Sequence, residues 1–169
     1  MNFDLSVKVG DFCGDAGVTI PIGQLSSRDE RLLRYARRTC YAGIEVIKDG
    51  VNVIEIGHAI QKYANQMGFV VNENMAGHKI SKEMHEKPMI PNFSVREEEI
   101  EKYGAILKAG DVVCIEPMLT YKDYLGRLKS DGWTLETKDG KKSAMFEHMV
   151  LVTKDGYKIL TDHFTKEVN

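Results

Sequence analysis

Residues 2–22 read NFDLSVKVGDFCGDAGVTIPI, with apolar and polar residues alternating on both sides of Gly10. A period of two is typical of a half-buried β-strand, and two such runs around a central glycine predict a β-hairpin. With the turn placed between Val9 and Gly10, Asp4 is expected to lie directly opposite Asp15. The sequence therefore predicts a hairpin that carries two aspartates on one face.

The two faces of this hairpin differ in polarity. The apolar face is expected to join the core, and it holds Phe3, Leu5, Val7, Phe12, Ala16, Val18 and Ile20. The polar face holds Asp4, Ser6, Cys13 and Asp15. Like charges on neighbouring strands destabilise a sheet unless something compensates them. Two interpretations stay open from the hairpin alone: both aspartates are solvated, or they share a divalent cation.

Two amphipathic helices are predicted after the hairpin. Ser27 with Glu30 and Asn52 with Glu55 have the spacing of capping boxes, and Gly50 and Gly68 follow the last periodic residues. The predicted buried stripes are Leu33, Ala36, Cys40, Ile44 and Ile47 in the first helix, and Ile56, Ala59, Ile60, Tyr63, Ala64 and Met67 in the second.

Beyond the second helix the pattern returns to short strands. They are predicted at residues 69–74, 111–118, 133–137, 143–153 and 157–160. The charged segment 94–107 is only weakly periodic and predicts a loop or a short surface helix. A hairpin, two helices and then mostly antiparallel strands indicate an α+β fold.

The composition is that of an ordinary globular protein. Of the 169 residues, 43% are hydrophobic and 28% charged, and the net charge is -2. This balance disfavours electrostatic binding of nucleic acid, and no apolar run is long enough to span a membrane. Three widely spaced cysteines fit neither a disulfide framework nor a zinc motif, and the first residues do not form a secretory signal. We expect one domain, residues 1–169, in the reducing cytoplasm.

Three further polar residues stand at unusual positions. His78 follows a glycine just past an apolar run, Glu116 ends the apolar run 112–115, and Glu147 interrupts the apolar run 144–152. A carboxylate at such a position is costly unless it is paired or coordinated. Each acid could be paired with its own lysine, arginine or backbone donor. Together with the hairpin aspartates, however, five such positions favour a shared metal site.

The segments that carry these residues are 2–7 with Gly14-Asp15, 76–78, 85–88, 115–118, and 131–134 through 143–148. In order and approximate spacing they resemble the type I methionine aminopeptidases, from Asn2 to about Leu160. The resemblance implies the pita-bread fold of these metallopeptidases, an α+β fold whose antiparallel sheet is covered by helices. It also implies that the family's amino-terminal segment is missing before Asn2.

The resemblance further implies that one or two divalent ions are bound by Asp4, Asp15, His78, Glu116 and Glu147. Two dications would balance the four carboxylate charges, and oxygen ligands with one imidazole suit Mn, Fe, Co or Zn. In the family, the glutamate that matches Glu116 also transfers a proton from the attacking water. The histidine that matches His85 contacts the substrate and stabilises the developing tetrahedral species.

Other residues receive simpler interpretations. Met84 and Trp133 match positions that line the pocket for the substrate's methionine, and ordinary core packing is the alternative for each. Lys79 and Ser81 stand where the family usually has glycines, and Lys79 is expected to bring a cation beside the site. The thiols of Cys40 and Cys114 are expected to be buried.

The function that the resemblance implies is metal-dependent removal of amino-terminal methionine before a small second residue. A non-catalytic pita-bread module that binds peptide or protein, and a proline-directed aminopeptidase of the same fold, are the alternatives. The expected partners are the amino termini of peptides or nascent chains, with association with the ribosome and no direct binding of nucleic acid or membrane. An uncovered sheet edge would favour self-association.

Overall fold

The chain opens with the predicted hairpin, and the computed structural model describes residues 1–122 and 126–162. Its strands are β1 (Asn2–Val9), β2 (Phe12–Thr19), β3 (Val70–Val71), β4 (Ala76–Lys79), β5 (Glu86–Pro91), β6 (Val112–Ile115), β7 (Met118–Thr120), β8 (Arg127–Leu128), β9 (Leu135–Glu136), β10 (Ala144–Met145), β11 (His148–Val152) and β12 (Tyr157–Ile159). The helices are α1 (Ser27–Ile44), α2 (Val53–Gln66) and α3 (Ile100–Tyr103), and a 3-10 turn spans Glu97–Glu99.

The strands form four sheets, and every pairing among the described residues is antiparallel. The largest sheet has five strands in the order β12-β11-β6-β4-β5, and a three-stranded sheet has the order β10-β7-β3. The β1-β2 hairpin and the β8-β9 pair are separate two-stranded sheets. A single bridge between Gly17 and Glu147 links the hairpin to the segment between β10 and β11. The predicted α+β architecture is therefore confirmed.

Helices α1 and α2 begin where polar side chains can accept the first backbone N–H groups. Asn52 and Glu55 form the predicted capping box of α2, and the helix ends before Gly68, whose φ is 76°. For α1 the predicted cap was one residue late, because the side chain of Ser26 accepts the Asp29 N–H. None of the helices in the described part of the chain has the length and apolar character of a membrane span.

The main core lies between the helices and the two larger sheets. Its buried side chains include Ala36, Cys40 and Ile44 of α1, Ile56 and Ile60 of α2, Val113 and Ile115 of β6, and Leu119, Phe146 and Val150. At Gly43 of α1, an added Cβ would lie 2.6 Å from Cγ1 of Ile60, so the absence of a side chain allows the two helices to pack closely.

The hairpin register differs from the prediction by two residues. Asp4 lies opposite Gly17, and Asp15 lies opposite Ser6, because Gly10 and Asp11 together form the turn. Side chains alternate with a period of two, so a shift of two residues still leaves both aspartates on one face. The prediction of direct opposition was wrong, whereas the prediction of a shared face is confirmed.

The apolar face of the hairpin is only partly buried, which corrects a second expectation. Ala16 and Val18 of β2 are buried against the core. By contrast, the apolar side chains of β1 and the first residue of β2 are exposed: Phe3 by 49%, Leu5 by 56%, Val7 by 46%, Val9 by 76% and Phe12 by 67%. Alternation in a sequence predicts which side chains share a face, but it does not specify what covers that face.

Three strands were missed, the two-residue β8 and a longer pair that carries His78. Residues 76–79 and 86–91 form β4 and β5, which pair with each other and join the five-stranded sheet through β6. Gly77, Pro88 and Pro91 weaken the strand pattern in this region, and Lys87-Pro88 is a cis peptide bond. The segment 94–107 contains the 3-10 turn and α3, as the prediction of a short surface helix allows.

Candidate metal centre

His78 is positioned by the missed strand β4 and is only 3% exposed. Its Nδ1 lies 3.1 Å from the carbonyl oxygen of Lys79, so Nδ1 carries the hydrogen that this carbonyl accepts. The lone pair of Nε2 is thereby directed toward two carboxylates, with Oδ2 of Asp15 at 3.8 Å and Oε1 of Glu116 at 3.5 Å. This tautomer is the one that a metal ligand needs.

Asp15 lies on β2 and faces His78 across the gap between the hairpin and the five-stranded sheet. It is 6% exposed. The hydroxyl of Ser6, directly opposite on β1, donates a hydrogen bond of 2.9 Å to Oδ1 of Asp15. With one oxygen held by Ser6, the other oxygen stays oriented toward the imidazole. Ser6 is a supporting residue that the sequence placed on the polar face without giving it a role.

Asp4 and Glu147 both approach the cluster next to Gly17, which pairs with each of them. Asp4 is the cross-strand partner of Gly17, and the Glu147 N–H donates a 2.8 Å hydrogen bond to the carbonyl oxygen of Gly17. An added Cβ on Gly17 would lie 3.1 Å from Oε2 of Glu147. A glycine at this position therefore lets the two acidic residues approach from different parts of the chain.

The carboxylates raise one another's pKa values. Burial, and then the charges of Glu147, Asp4 and Asp15, raise the pKa of Glu116 to about 9. Burial and the charges of Asp15 and Asp4 raise the pKa of Glu147 to about 8. The pKa of Asp4 is also raised, by burial and by Asp15. Burial lowers the pKa of His78, which favours the neutral imidazole.

The interpretation that each acid has its own cationic partner is wrong for the described residues. Among these residues, no lysine or arginine nitrogen lies within 4.0 Å of a carboxylate oxygen of Asp4, Asp15, Glu116 or Glu147. The basic side chain that does approach the acids is His78, and its imidazole is neutral. Four clustered carboxylates without a countercharge are unstable at neutral pH unless they are protonated or coordinated. The electrostatics therefore fit bound cations.

The donor geometry fits a metal as well. One donor atom from each of Asp15, His78, Cys114 and Glu147 lies within 4.8 Å of the others, and all four residues are buried. Glu116 is adjacent, through its contact with His78, and Asp4 is coupled to the cluster by charge. Three of the five predicted ligands thus belong to this group and Glu116 contacts it, whereas Asp4, an exposed residue of β1, is linked to it by charge and by its pairing with Gly17. The assignment of all five as ligands stays a prediction. Cys114 is an additional residue that sequence reasoning did not assign to the site.

The predicted substrate residues are only partly gathered at this cluster. The ring of His85 lies 4.5 Å from the ring of His78, and the side chain is exposed, so it stands at the mouth of the site. Met84 is half-buried against a small cluster that includes Cys114. Trp133 is 90% exposed on the segment before β9, so it is not packed against the acids. The substrate roles of all three stay predictions.

Lys79 does not bring its cation to the site. Its Nζ lies 2.6 Å from Oδ1 of Asp111, and its partner on β6 is Val113, whereas the partner of His78 is Cys114, so the two side chains lie on opposite faces of the β4-β6 pair. The hydroxyl of Ser81 donates to Oε1 of Glu86, away from the cluster. The expectation about Lys79 was therefore wrong.

Gly77 allows β4 to lie close enough to β6 for His78 to reach the cluster. A Cβ added at Gly77 would lie 2.1 Å from the backbone carbonyl oxygen of Cys114, a contact that only a backbone shift can relieve. We expect Gly77→Ala to reduce the free energy of unfolding by about 3 kcal/mol or more, measured by urea unfolding. Gly14→Ala, whose Cβ would meet only Cγ2 of Val7 at 3.4 Å, is the matched control. Equal effects of the two substitutions would contradict this explanation.

The fold and the acidic cluster together place the chain in the class of α+β proteins that hold divalent metal ions. Residues 1–154 match the model of Metallopeptidase family M24, and the chain belongs to that family. It is 38% identical over 161 residues to a methionine aminopeptidase of Salmonella typhimurium, and 35% identical over 161 residues to methionine aminopeptidase 1 of Bacillus subtilis. Each alignment includes 95% of this chain, but 59% and 63% of the relatives.

Comparison with solved structures shows the same similarity to methionine aminopeptidases. The crystal structure of a methionine aminopeptidase from Thermotoga maritima matches with a TM-score of 0.87 and 35% identity, over 95% of this chain and 62% of that chain. A prolidase from Pyrococcus furiosus matches with a TM-score of 0.69 at 22% identity, over 95% of this chain and 40% of that one, which is a likeness of fold alone. The predicted pita-bread fold is confirmed. The chain spans about three fifths of the length of the methionine aminopeptidases it matches.

Proposed function

We propose that residues 1–169 form a metallopeptidase catalytic domain that removes methionine from peptide amino termini when the second residue is small. The observation that carries this proposal is the cluster of carboxylates around buried, neutral His78, without a basic partner among the described residues, in a chain of family M24. Relatives named methionine aminopeptidase support the choice of substrate.

Two divalent ions are the proposed cofactors, and Mn, Fe, Co and Zn all suit the donors. Asp4, Asp15, His78, Glu116 and Glu147 would hold them. One dication would leave two of the four carboxylate charges uncompensated, whereas two dications balance all four. When bound, such ions supply Lewis acidity toward the scissile carbonyl and lower the pKa of the attacking water.

The chain's own residues would then bind the substrate and transfer protons. Glu116 borders the cluster through Oε1, near Nε2 of His78, and in the proposal its carboxylate accepts the proton of the attacking water and returns it to the leaving amine. His85, exposed beside His78, donates a hydrogen bond to the oxyanion that develops on the carbonyl. Met84, half-buried nearby, would contact the methionine side chain. Trp133 would need to move to reach the substrate.

The deciding experiment combines metal content with substrate choice. After loading with Mn²⁺ or Co²⁺ and removal of excess ion, elemental analysis should find about two ions per chain. The loaded protein should cleave Met-Ala-Ser and not an Xaa-Pro peptide. Preferred cleavage of the Xaa-Pro peptide would favour a proline-directed enzyme. Absence of both metal and cleavage would indicate a non-catalytic module that binds peptide.

The cellular setting belongs to the same proposal. Nascent chains are the proposed source of substrate, which requires a cytoplasmic location and favours association with the ribosome. Co-sedimentation of the protein with purified ribosomes tests this association. Binding that survives removal of the nascent chain would favour a dedicated contact, and absence of co-sedimentation would contradict the association.

Self-association is proposed through the exposed apolar face of β1. This strand lies at the edge of a two-stranded sheet, so its apolar side chains and its outer backbone groups are both available for pairing. We expect the chain to form dimers or larger species at high concentration, as measured by light scattering. Leu5→Ser should reduce this association. Leu128→Ser, at a residue 60% exposed on β8, is the matched control. A monomer at all concentrations would contradict the proposal.

A further inference from the structure

Cys114 lies at the centre of the sheet beneath the acidic cluster. On β6 it is the cross-strand partner of His78 on β4 and of Met149 on β11. Paired residues of antiparallel strands have side chains on the same face, so its thiol is on the side of the sheet that carries His78. The residue is 0% exposed. It is therefore a fixed, buried group directly under the donors.

The thiol is also close to the acids themselves. Its Sγ lies within 4.8 Å of a donor atom of Asp15, His78 and Glu147. A small rotation of the thiol or of the carboxylate brings Sγ within hydrogen-bond distance of Glu147. Among the described residues, no hydroxyl, amide or basic side chain donates to that carboxylate. A donor at this position would therefore largely fix the orientation of the carboxylate.

We propose that Cys114 is a positioning residue, whose thiol hydrogen bond holds the Glu147 carboxylate in the orientation that binds metal. This inference rests on the proposed function, because it takes Glu147 to be a ligand. Groups that orient metal ligands in this way typically contribute a factor of 10–100 to metal affinity. The alternative is that Cys114 only fills space in the small apolar cluster with Cys13 and Ile80.

Two substitutions of Cys114 separate these roles. Cys114→Ser keeps a donor, whereas Cys114→Ala has nearly the same volume as serine and no donor. If the thiol positions Glu147, serine should preserve metal affinity and alanine should lose it. If the thiol only packs, serine and alanine should change the affinity equally. Cys114→Val, which has no donor and about one methyl group more than cysteine, should lose affinity like alanine in the first case, and alanine replaces it if that variant fails to fold.

The matched control is Cys40 on α1, a second buried thiol in a neighbouring part of the core. Its Sγ donates to the backbone carbonyl of Ile115 at 3.2 Å rather than to an acid of the cluster. Cys40→Ser and Cys40→Val should therefore leave metal affinity within about threefold of the unsubstituted chain. Any loss caused by general loosening of the core should appear in these variants as well.

The experiment titrates the full chain with Co²⁺ by isothermal calorimetry and records the absorption spectrum, with circular dichroism to check folding. We expect Cys114→Val to weaken Co²⁺ binding by about 10–100-fold and Cys114→Ser by less than about threefold. Unchanged affinity in Cys114→Val would overturn the inference and leave the proposed function intact. A sulfur-to-cobalt charge-transfer band that disappears in Cys114→Ser would also overturn it, since the thiol would then be a ligand. Absence of Co²⁺ binding by the unsubstituted chain would overturn both.

Discussion

Replacing Glu116 by glutamine is expected to lower kcat/KM for Met-Ala-Ser by about a thousandfold or more, with most of the loss in kcat. Glutamine has nearly the same shape, so the fold and peptide binding should survive. It cannot accept a proton, however, and it brings no negative charge to a metal. General acid–base catalysis alone typically contributes a factor of 10²–10⁴.

The position of Glu116 explains why no neighbour should replace it. Its Oε1 lies 3.5 Å from Nε2 of His78, and His78 has its other nitrogen engaged by a backbone carbonyl. The remaining acids of the cluster are each held by different elements.

The loss should be measured on metal-loaded protein at saturating and limiting peptide. Glu97→Gln, at an exposed acid of the 3-10 turn, is the control, and a loss of less than tenfold in Glu116→Gln would contradict the catalytic role.

The metal-free chain should become less stable as pH rises from 7 to 8.5. Folded Glu116 and Glu147 have pKa values of about 9 and 8, against 4.5 for an ordinary glutamate. Across this window the unfolded chain has already lost both protons, whereas the folded chain still holds part of them. The folded state binds more protons, so raising the pH favours unfolding. The upper limit is about 3 kcal/mol, which corresponds to a fall in Tm of roughly 5–10 °C.

Between pH 7 and 8.5 the prediction is not complicated by the buried histidines, whose titration has the opposite effect on stability. The pKa values of His78 and His148 are lowered, the latter to about 4, so these imidazoles destabilise the folded chain only at pH values below about 6.5. Thermal unfolding in EDTA across pH 7 to 8.5 measures the effect. Saturating Mn²⁺ should abolish the slope, because a bound cation keeps the carboxylates deprotonated. Glu147→Gln should remove part of it, and a Tm independent of pH in EDTA would contradict the predicted protonation.

The helices could be predicted because their signals are local, whereas the five proposed ligands were assigned together only from their order along the chain. Asn52 and Glu55 carry the cap of α2 within four residues, and an acid such as Glu147 in an apolar run is conspicuous without knowledge of its neighbours. The order of the acids along the chain added the resemblance to a family. These features needed no information about tertiary contacts.

The features that sequence did not predict depend on contacts between distant segments. The hairpin register required knowing that Gly10 and Asp11 form the turn, and the exposure of Phe3 depends on what packs against β1. Strand β4 is defined by its pairing with β5 and β6 more than by its own residues. Cys114 looked like an ordinary buried thiol, because only the assembled sheet places it beneath Glu147.

The bridge between Gly17 and Glu147 has a consequence for biosynthesis. It joins two segments that are far apart in the sequence, and it brings Glu147 to the two hairpin aspartates. During translation the helices can form early from local contacts, but this long-range pairing must wait until the segment around Glu147 has been made. Until then, the hairpin aspartates lack Glu147, the last of the five proposed ligands along the sequence. A growing copy of this chain should therefore complete its metal site only after residue 147 has been synthesised.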